Sequence, residues 1–329
     1  MPELPEVETV ARDLRGRIVA ARIAGVRSSW ARTLRNVNGE ELADAVRGRT
    51  IDAVGRRGKQ LVVELSGGAF LTIHLKMTGQ LFVVPTGGSE DPYVRLVLEL
   101  DDGREIRFRD IRKFGRIGVY MADDDPFSAV GPEPLDAAFT LRAFRARLRA
   151  RKGRLKPLLL DQTFIAGVGN IYADEGLWAA RLHPLRTVGT LRPADERRLW
   201  RELRRILTEA VIRRGSSIDD YTAPDGDGDM QEHLLVYQRA GEPCFRCGRA
   251  IRRIVVGGRG THFCSWCQRL SAKDRAGAKT VLRSMATLTR TGGRWTELGG
   301  EGSLGLSRAE RTQKAAATRR AAARASAEA

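Results

Sequence analysis

Gln60-Leu61-Val62-Val63-Glu64-Leu65-Ser66-Gly67-Gly68-Ala69-Phe70-Leu71-Thr72-Ile73-His74-Leu75 reads as two short strands about a glycine turn. The runs 60–65 and 70–75 are rich in β-branched and large apolar residues, and Ser66-Gly67-Gly68 between them has the composition of a tight connection. Working outward, the same signature recurs at 49–54, 81–84, 93–100, 105–109 and 116–121, with turn signals at Arg57-Gly58 and Asp101-Asp102-Gly103. Short strands at this spacing predict an antiparallel sandwich or barrel over about 17–121.

On either side the period changes. Val7, Val10, Ala11 and Leu14 repeat at helical spacing, which predicts a helix over 5–15 with Glu3 and Glu6 at its positive end. Asp123-Asp124-Asp125-Pro126 and Gly131-Pro132-Glu133-Pro134 read as a linker. Beyond it, 140–151 and 193–214 are helical, the second closed by Gly215. Gly167-Val168-Gly169-Asn170 reads as a turn with Asn170 as the N-cap of a helix over 171–180. Residues 216–232 read as a mobile loop. The expected fold is α+β and multidomain. It comprises a β-sandwich domain with an N-terminal helix (1–131), a helical domain (132–240), a four-cysteine hairpin (241–269) and a disordered basic, Ala-rich tail (270–329).

The chain has 329 residues and a net charge of +17, with 42% hydrophobic and 29% charged residues. That composition is globular. No run approaches the ~18 apolar residues that span a bilayer, and the acidic start lacks the apolar core of a secretory signal. A soluble cytoplasmic protein is expected, and a polyanion is the natural partner for a pI near 10.6. Residues 275–329 hold 11 Lys/Arg and 4 Asp/Glu, a net of +7, leaving +10 for the rest.

All four cysteines lie in Cys244-x2-Cys247-x16-Cys264-x2-Cys267. Two such knuckles match a tetrahedral zinc site, and four thiolates leave no open position for substrate, so the ion is structural. Between them, 251–256 and 261–263 read as a hairpin turning through Gly257-Gly258-Arg259-Gly260, with Arg259 at its tip. Arg259 then faces a phosphate or a base, or is an ordinary exposed turn residue.

Removal of Met1 would expose Pro2 as a secondary amine with a pKa near ~8, able to attack a sugar aldehyde carbon and form an iminium. Glu3 and Glu6 would stand within reach to move protons. Prolines followed by glutamates also simply begin helices.

These pieces converge. Met1-Pro2-Glu3-Leu4-Pro5-Glu6-Val7-Glu8-Thr9-Val10, His74-Leu75-Lys76-Met77-Thr78-Gly79, Asp110-Ile111-Arg112-Lys113-Phe114-Gly115, the stretch Ile165-Ala166-Gly167-Val168-Gly169-Asn170-Ile171-Tyr172-Ala173-Asp174-Glu175, and 236–268 with Tyr237 and the cysteines all occur in order. Together they resemble the bacterial formamidopyrimidine-DNA glycosylases over residues 1 to about 269. The resemblance implies excision of 8-oxoguanine and formamidopyrimidines from duplex DNA, strand cleavage by β,δ-elimination and a helix–two-turn–helix domain; one structural zinc ion, a monomer and a place in the cytoplasm at the nucleoid are expected with it. By the same resemblance Pro2 is the nucleophile and Glu3 the acid, with Glu6, Lys59 and Arg259 assisting. Met77, Arg112 and Phe114 fill the gap left by the extruded base, and Lys156, Asn170 and Tyr237 join Lys59 and Arg259 in contacting DNA.

Two departures stand out. Glu90-Asp91-Pro92-Tyr93 replaces a His-containing segment of many members, and 221–232 matches the family's lesion-capping loop only loosely. Two other readings are a relative specific for oxidised pyrimidines and a catalytically silent DNA-binding zinc protein. Leu4 with Met77, Arg112 and Phe114 argues against the first, and Pro2, Glu3 and Lys59 argue against the second.

Overall fold

In the computed structural model, residues 1–89, 91–217 and 228–278 are described. Glu90, most of the expected lesion-capping loop and the tail from residue 279 lie outside the described residues. Helix α1 (Leu4–Ile18) starts on Glu3 and buries Val7, Val10, Ala11, Leu14 and Ile18, one face as the periodicity requires. It runs one residue earlier and three later than expected. Eight strands follow: β1 (Ile23–Ser28), then after helix α2 (Gly39–Val46) β2 (Ile51–Arg57), β3 (Gln60–Leu65), β4 (Ala69–His74), β5 (Gly79–Pro85), β6 (Val94–Leu100), β7 (Arg104–Asp110) and β8 (Arg116–Met121). They form two four-stranded antiparallel sheets, ordered β1-β6-β7-β5 and β2-β3-β4-β8. Leu61, Leu71, Ile73, Leu98, Phe108 and Ile117 fill the space between the sheets and α1. The quoted stretch pairs Gln60 with His74 and Leu65 with Ala69, so its register sets the centre of one sheet.

Two elements of this half escape the period-two reading. Strand β1 is interrupted by Gly25, and its outer half is exposed. Helix α2 is short, but Asn38 accepts from the amides of Glu40 and Glu41 while Glu41 reaches back to the Asn38 amide, a complete capping box.

The second half is built from α3 (Leu141–Arg149), α4 (Leu155–Leu160), α5 (Asn170–Ala179) and α6 (Pro193–Ile212) around Phe144, Phe164, Tyr172, Leu199 and Leu203. Gly176 of α5 lies directly against Leu203 of α6, where a Cβ would stand 2.5 Å from Leu203 Cδ2, so the helices cross closely. The hairpin β9 (Arg252–Val256) and β10 (Arg259–Phe263) packs on this core through Ile251 and Cys264.

Two expectations are corrected by the fold. Arg259 opens β10 opposite Val256 rather than sitting within the turn, which is made by Gly257 and Gly258 at positive φ. Nor does the tail begin at 270: helix α7 (Ala272–Ala276) is folded onto the helical half. The Asp274 carboxylate accepts from the Thr187 amide and hydroxyl at 3.0 and 2.8 Å and from the Thr190 hydroxyl at 2.8 Å. Leu270 and Ala278 are buried beside it.

The N-terminal segment joins the two halves. The Leu4 amide donates to the Gly167 carbonyl at 3.0 Å. Gly167 has φ +78°, and a Cβ there would meet Leu4 Cβ at 2.6 Å, so this contact admits glycine alone. Arg214, just past α6, grips Asp13 of α1 with two hydrogen bonds of 3.0 and 2.7 Å. No helix among the described residues is long and apolar enough to cross a membrane.

Candidate active site

Glu3 is the hinge of the site. One carboxylate oxygen accepts from the Gly169 amide at 2.7 Å and the other from the Ile171 amide at 2.9 Å, with Tyr172 N at 3.4 Å. The carboxylate therefore caps α5, satisfying donors that the helix cannot pair itself. Gly169, not Asn170, is the capping residue of the chain, because its N–H is taken by Glu3 and its missing side chain leaves room for that carboxylate. Burial pushes the Glu3 carboxyl above its usual range, partly offset by the nearby Lys59 ammonium.

Glu6 lies below it. Its carboxylate accepts from the Glu3 amide at 2.8 Å, the Tyr172 hydroxyl at 2.6 Å and the Ser216 amide at 2.8 Å. Pro2 is buried and directly precedes Glu3, whose amide and carboxylate are both hydrogen-bonded. Lys59 is turned inward from the β2–β3 connection, whose Gly58 has φ +58°. Glu133, from the linker, fixes that connection by accepting from the Gly58 amide at 2.6 Å and from Arg57 at 3.1 Å, while Arg56 donates at 2.8 Å. Burial lowers the Lys59 pKa, Glu3 and Glu6 hold it up, and Arg259 and Lys76 lower it further. The structure thus brings Glu3, Glu6, Lys59 and Arg259 into one electrostatic cluster beside Pro2. His74, next to Lys76 and Lys59, is held neutral by burial, its pKa down to about 3.

Lys156 departs from expectation. It has no exposed surface: its ammonium is 2.5 Å from Asp174 Oδ1 and donates to the Gly260 carbonyl at 3.1 Å. A direct DNA contact is corrected to a scaffold role, since the charge is consumed within the protein. Asn170 Nδ2 donates to the same carbonyl at 3.0 Å, and Asp174 Oδ2 accepts from the His262 amide at 2.8 Å. These bonds fix the residues flanking Arg259. The Tyr237 ring meets His262 edge-on at 5.2 Å, and its amide donates to Glu175 at 2.8 Å. Glu175 also accepts from Leu235 and Val236, and burial pushes its pKa up to about 7.

Met77, Arg112 and Phe114 meet at one end of the sandwich. The β7–β8 loop carries exposed Arg112 and Phe114, the guanidinium 5.2 Å over the ring, and the half-buried Met77 sits in the β4–β5 turn. Asp110 joins the two loops: it accepts from Thr78 Oγ1 at 2.5 Å and from the Gly115 amide at 2.6 Å. In the departing segment, Asp91 binds Arg109 at 2.6 Å, and Arg109 lies 5.1 Å over the Tyr93 ring. Asp110, Glu133, Asp174, Glu175, Tyr172 and Ser216 are absent from the sequence-based site. Asp110, Tyr172, Asp174 and Glu175 lie within the stretches 110–115 and 165–175, whereas Glu133 and Ser216 have no local signature.

The four cysteine sulfurs converge within 4.8 Å of one another, with Cys244–Cys267 at 4.0 Å and Cys247–Cys264 at 3.5 Å. A tetrahedron with Zn–S of ~2.3 Å has S···S edges near ~3.8 Å. The donors therefore fit one structural zinc ion and are too far apart for disulfides.

Family models match in chain order: the formamidopyrimidine-DNA glycosylase N-terminal domain over residues 1–117, the formamidopyrimidine-DNA glycosylase H2TH domain over 130–222, and a zinc finger found in FPG and IleRS over 241–270. Formamidopyrimidine-DNA glycosylase from Chloroflexus aurantiacus is 47% identical over 274 residues, spanning 82% of this chain and 98% of the relative. That from a Roseiflexus species is 45% identical over 273 residues, spanning 82% and 100%. Among solved structures, Lactococcus lactis Fpg with DNA containing N7-benzyl-Fapy-dG superposes with a TM-score of 0.77 at 37% identity, covering 82% of this chain and all of that one. The same enzyme with DNA containing an abasic site gives the same four values.

Proposed function

The chain belongs to the formamidopyrimidine-DNA glycosylase family, zinc-finger DNA glycosylases of base excision repair, and on that premise we propose that it excises oxidised purines from damaged duplex DNA through the nitrogen of Pro2 and then cuts the strand. The observation that carries the reading is the seating of Glu3 on the N-terminus of α5, which fixes a buried, readily protonated carboxyl one residue from the proposed nucleophile.

The steps follow from what each group can do. Glu3 gives its proton to the sugar ring oxygen as the Pro2 nitrogen attacks C1′; the C1′–base bond breaks and the base leaves with its electron pair. The Pro2 nitrogen then gives up its proton to the Glu3 carboxylate, its lone pair forms the C1′=N bond, and the C1′–O4′ bond breaks with its electron pair leaving on the protonated ring oxygen, so the opened sugar is an iminium. Loss of a C2′ proton feeds electrons into it and expels the 3′ phosphate, and a second elimination expels the 5′ phosphate. Water then releases Pro2. Lys59, its pKa lowered by burial, exchanges protons at the same centre, and Arg259 balances phosphate charge. Phe114 wedges into the stack, Met77 fills the void, and Arg112 bonds to the orphaned base. Zinc, held by Cys244, Cys247, Cys264 and Cys267, keeps the hairpin rigid. The protein acts as a monomer, with 1–131, 132–240 and 241–269 as catalytic, helix–two-turn–helix and finger domains.

Borohydride trapping on a lesion panel tests this. An adduct on 8-oxoguanine:C duplex that maps to the N-terminal peptide is expected. Mapping to the Lys59 peptide would overturn the Pro2 assignment, and preference for thymine-glycol duplex would overturn the purine assignment.

A further inference from the structure

The zinc finger also has its cysteine knuckles, at the other end of β10 from Arg259, where the site above needs nothing. Each cysteine knuckle exposes an aromatic residue: Phe245 is 63% exposed and Trp266 48%. Arg249 and Arg269 both lie against the Trp266 ring, at 3.9 and 4.1 Å from its centroid. Both are exposed, and neither has an ion pair or side-chain hydrogen bond among the described residues. What sets this pair apart is that both guanidinium groups rest on a single indole. The protein's other ordered arginines are commonly spent on carboxylates; Arg239, stacked on Phe245 at 3.9 Å, donates to Glu242 at 2.8 Å.

A guanidinium held over an aromatic ring is positioned by the ring without spending its hydrogen-bond donors. Two of them on one indole, anchored to residues next to metal ligands, form a rigid pair of forks with no internal anion. Forks of this kind match a phosphodiester oxygen pair. We propose that Arg249, Trp266 and Arg269 form a second DNA-backbone site, which holds a phosphate of the duplex flanking the lesion. The proposal rests on the DNA-glycosylase reading and extends the footprint beyond it. Geometry sets where the contact falls: Cys264, the residue after β10, is five residues from Arg259, roughly 17 Å at about 3.3 Å per residue. That distance is about five steps of duplex at about 3.4 Å each.

The experiment compares full-length protein with the Arg249→Gln/Arg269→Gln variant on three lesion duplexes. One has about fifteen base pairs on both flanks; the others are trimmed to about four pairs on one flank or the other. Zinc content and thermal midpoint are measured alongside, and Arg269→Gln alone is the second variant if the double one loses metal. Wild type is expected to bind one trimmed duplex more weakly than the full one. The variant should bind the full duplex as wild type binds that trimmed one, with a salt slope lower by about 1 to 2. Equal wild-type affinity for all three duplexes overturns the proposal. So does a variant that weakens all three alike, or one whose deficit depends on undamaged duplex added in trans. Incision of the full lesion duplex by wild type is scored separately: its absence sinks the glycosylase reading and not this second backbone site.

Discussion

Glu3 caps a helix that begins 167 residues further along the chain: its carboxylate accepts from the Gly169 amide at 2.7 Å and holds α5 to the first turn of α1. The proposed acid is thus also the joint between the β-sandwich and the helical half. Glu3→Gln keeps an acceptor for the helix but removes the proton. Excision of 8-oxoguanine should fall by about 10²–10⁴-fold. Trapping on a preformed abasic site, where no base has to leave, should persist. Because burial raises the Glu3 pKa, the protonated form survives to higher pH than in a free carboxyl, and single-turnover excision should decline as pH rises through that value. That decline should be missing in Glu3→Gln. A variant that loses both activities equally would make Glu3 a structural residue only.

Gly169→Ala tests the same joint from the other side. A Cβ at this position would run into the Glu3 carboxylate, which is itself pinned between Gly169 and Ile171. The carboxyl has to move, and displacements near 1 Å cost about 10²-fold in rate. The expected result is a drop in single-turnover rate of that order, with little change in DNA affinity. A wild-type rate would mean that the acid tolerates displacement.

Legibility in the sequence followed range. The β-sandwich was readable because alternation and glycine turns are local, and strands 60–65 and 116–121 fall at their expected bounds. The zinc ligands were readable because their spacing is itself the signal. Asn170 misled because a polar residue after Gly-Val-Gly looks like a cap, whereas the actual cap comes from the far end of the chain. Lys156 misled for a related reason: its partner Asp174 and the Gly260 carbonyl are 18 and 104 residues away. Only packing reveals that the charge is already used.

That buried pair carries its own prediction. Lys156 and Asp174 are both shielded from water. Removing one partner leaves a charge uncompensated, so Lys156→Met or Asp174→Asn should each cost about 3–5 kcal/mol in denaturant unfolding, and replacing both with apolar residues should cost less than either alone. Loss of DNA binding without loss of stability in Lys156→Met would restore the direct-contact role.

Cys264→Ser removes one of four thiolates and should release zinc, since the ion's binding energy is what stiffens so small a hairpin. Arg259 then loses its fixed position. DNA affinity should drop while the sandwich keeps its circular dichroism and its core stays protected from exchange. Unchanged affinity in the zinc-free protein would remove the finger from DNA recognition.

The basic C-terminal region divides at Ala278. Before it, Asp274 accepts from Thr187 and Thr190, and Arg154 donates to the Gly277 carbonyl at 2.8 Å. After it, residues 279–329 hold 10 Lys/Arg and 4 Asp/Glu. Cutting after Ala278 should leave the unfolding midpoint and lesion chemistry unchanged. It should also flatten the salt dependence of non-specific binding, because each phosphate that is no longer neutralised takes about 0.9 off the slope. Cutting after Arg269 should in addition destabilise the fold, since Thr187 and Thr190 lose their hydrogen bonds to Asp274, each worth about 0.5–1.5 kcal/mol. The pair of truncations therefore separates an electrostatic tether from a structural strap. Equal salt slopes for the full chain and the cut after Ala278 would mean that residues 279–329 do not touch DNA. Equal midpoints for the two truncations would mean that the Asp274 hydrogen bonds contribute nothing to stability.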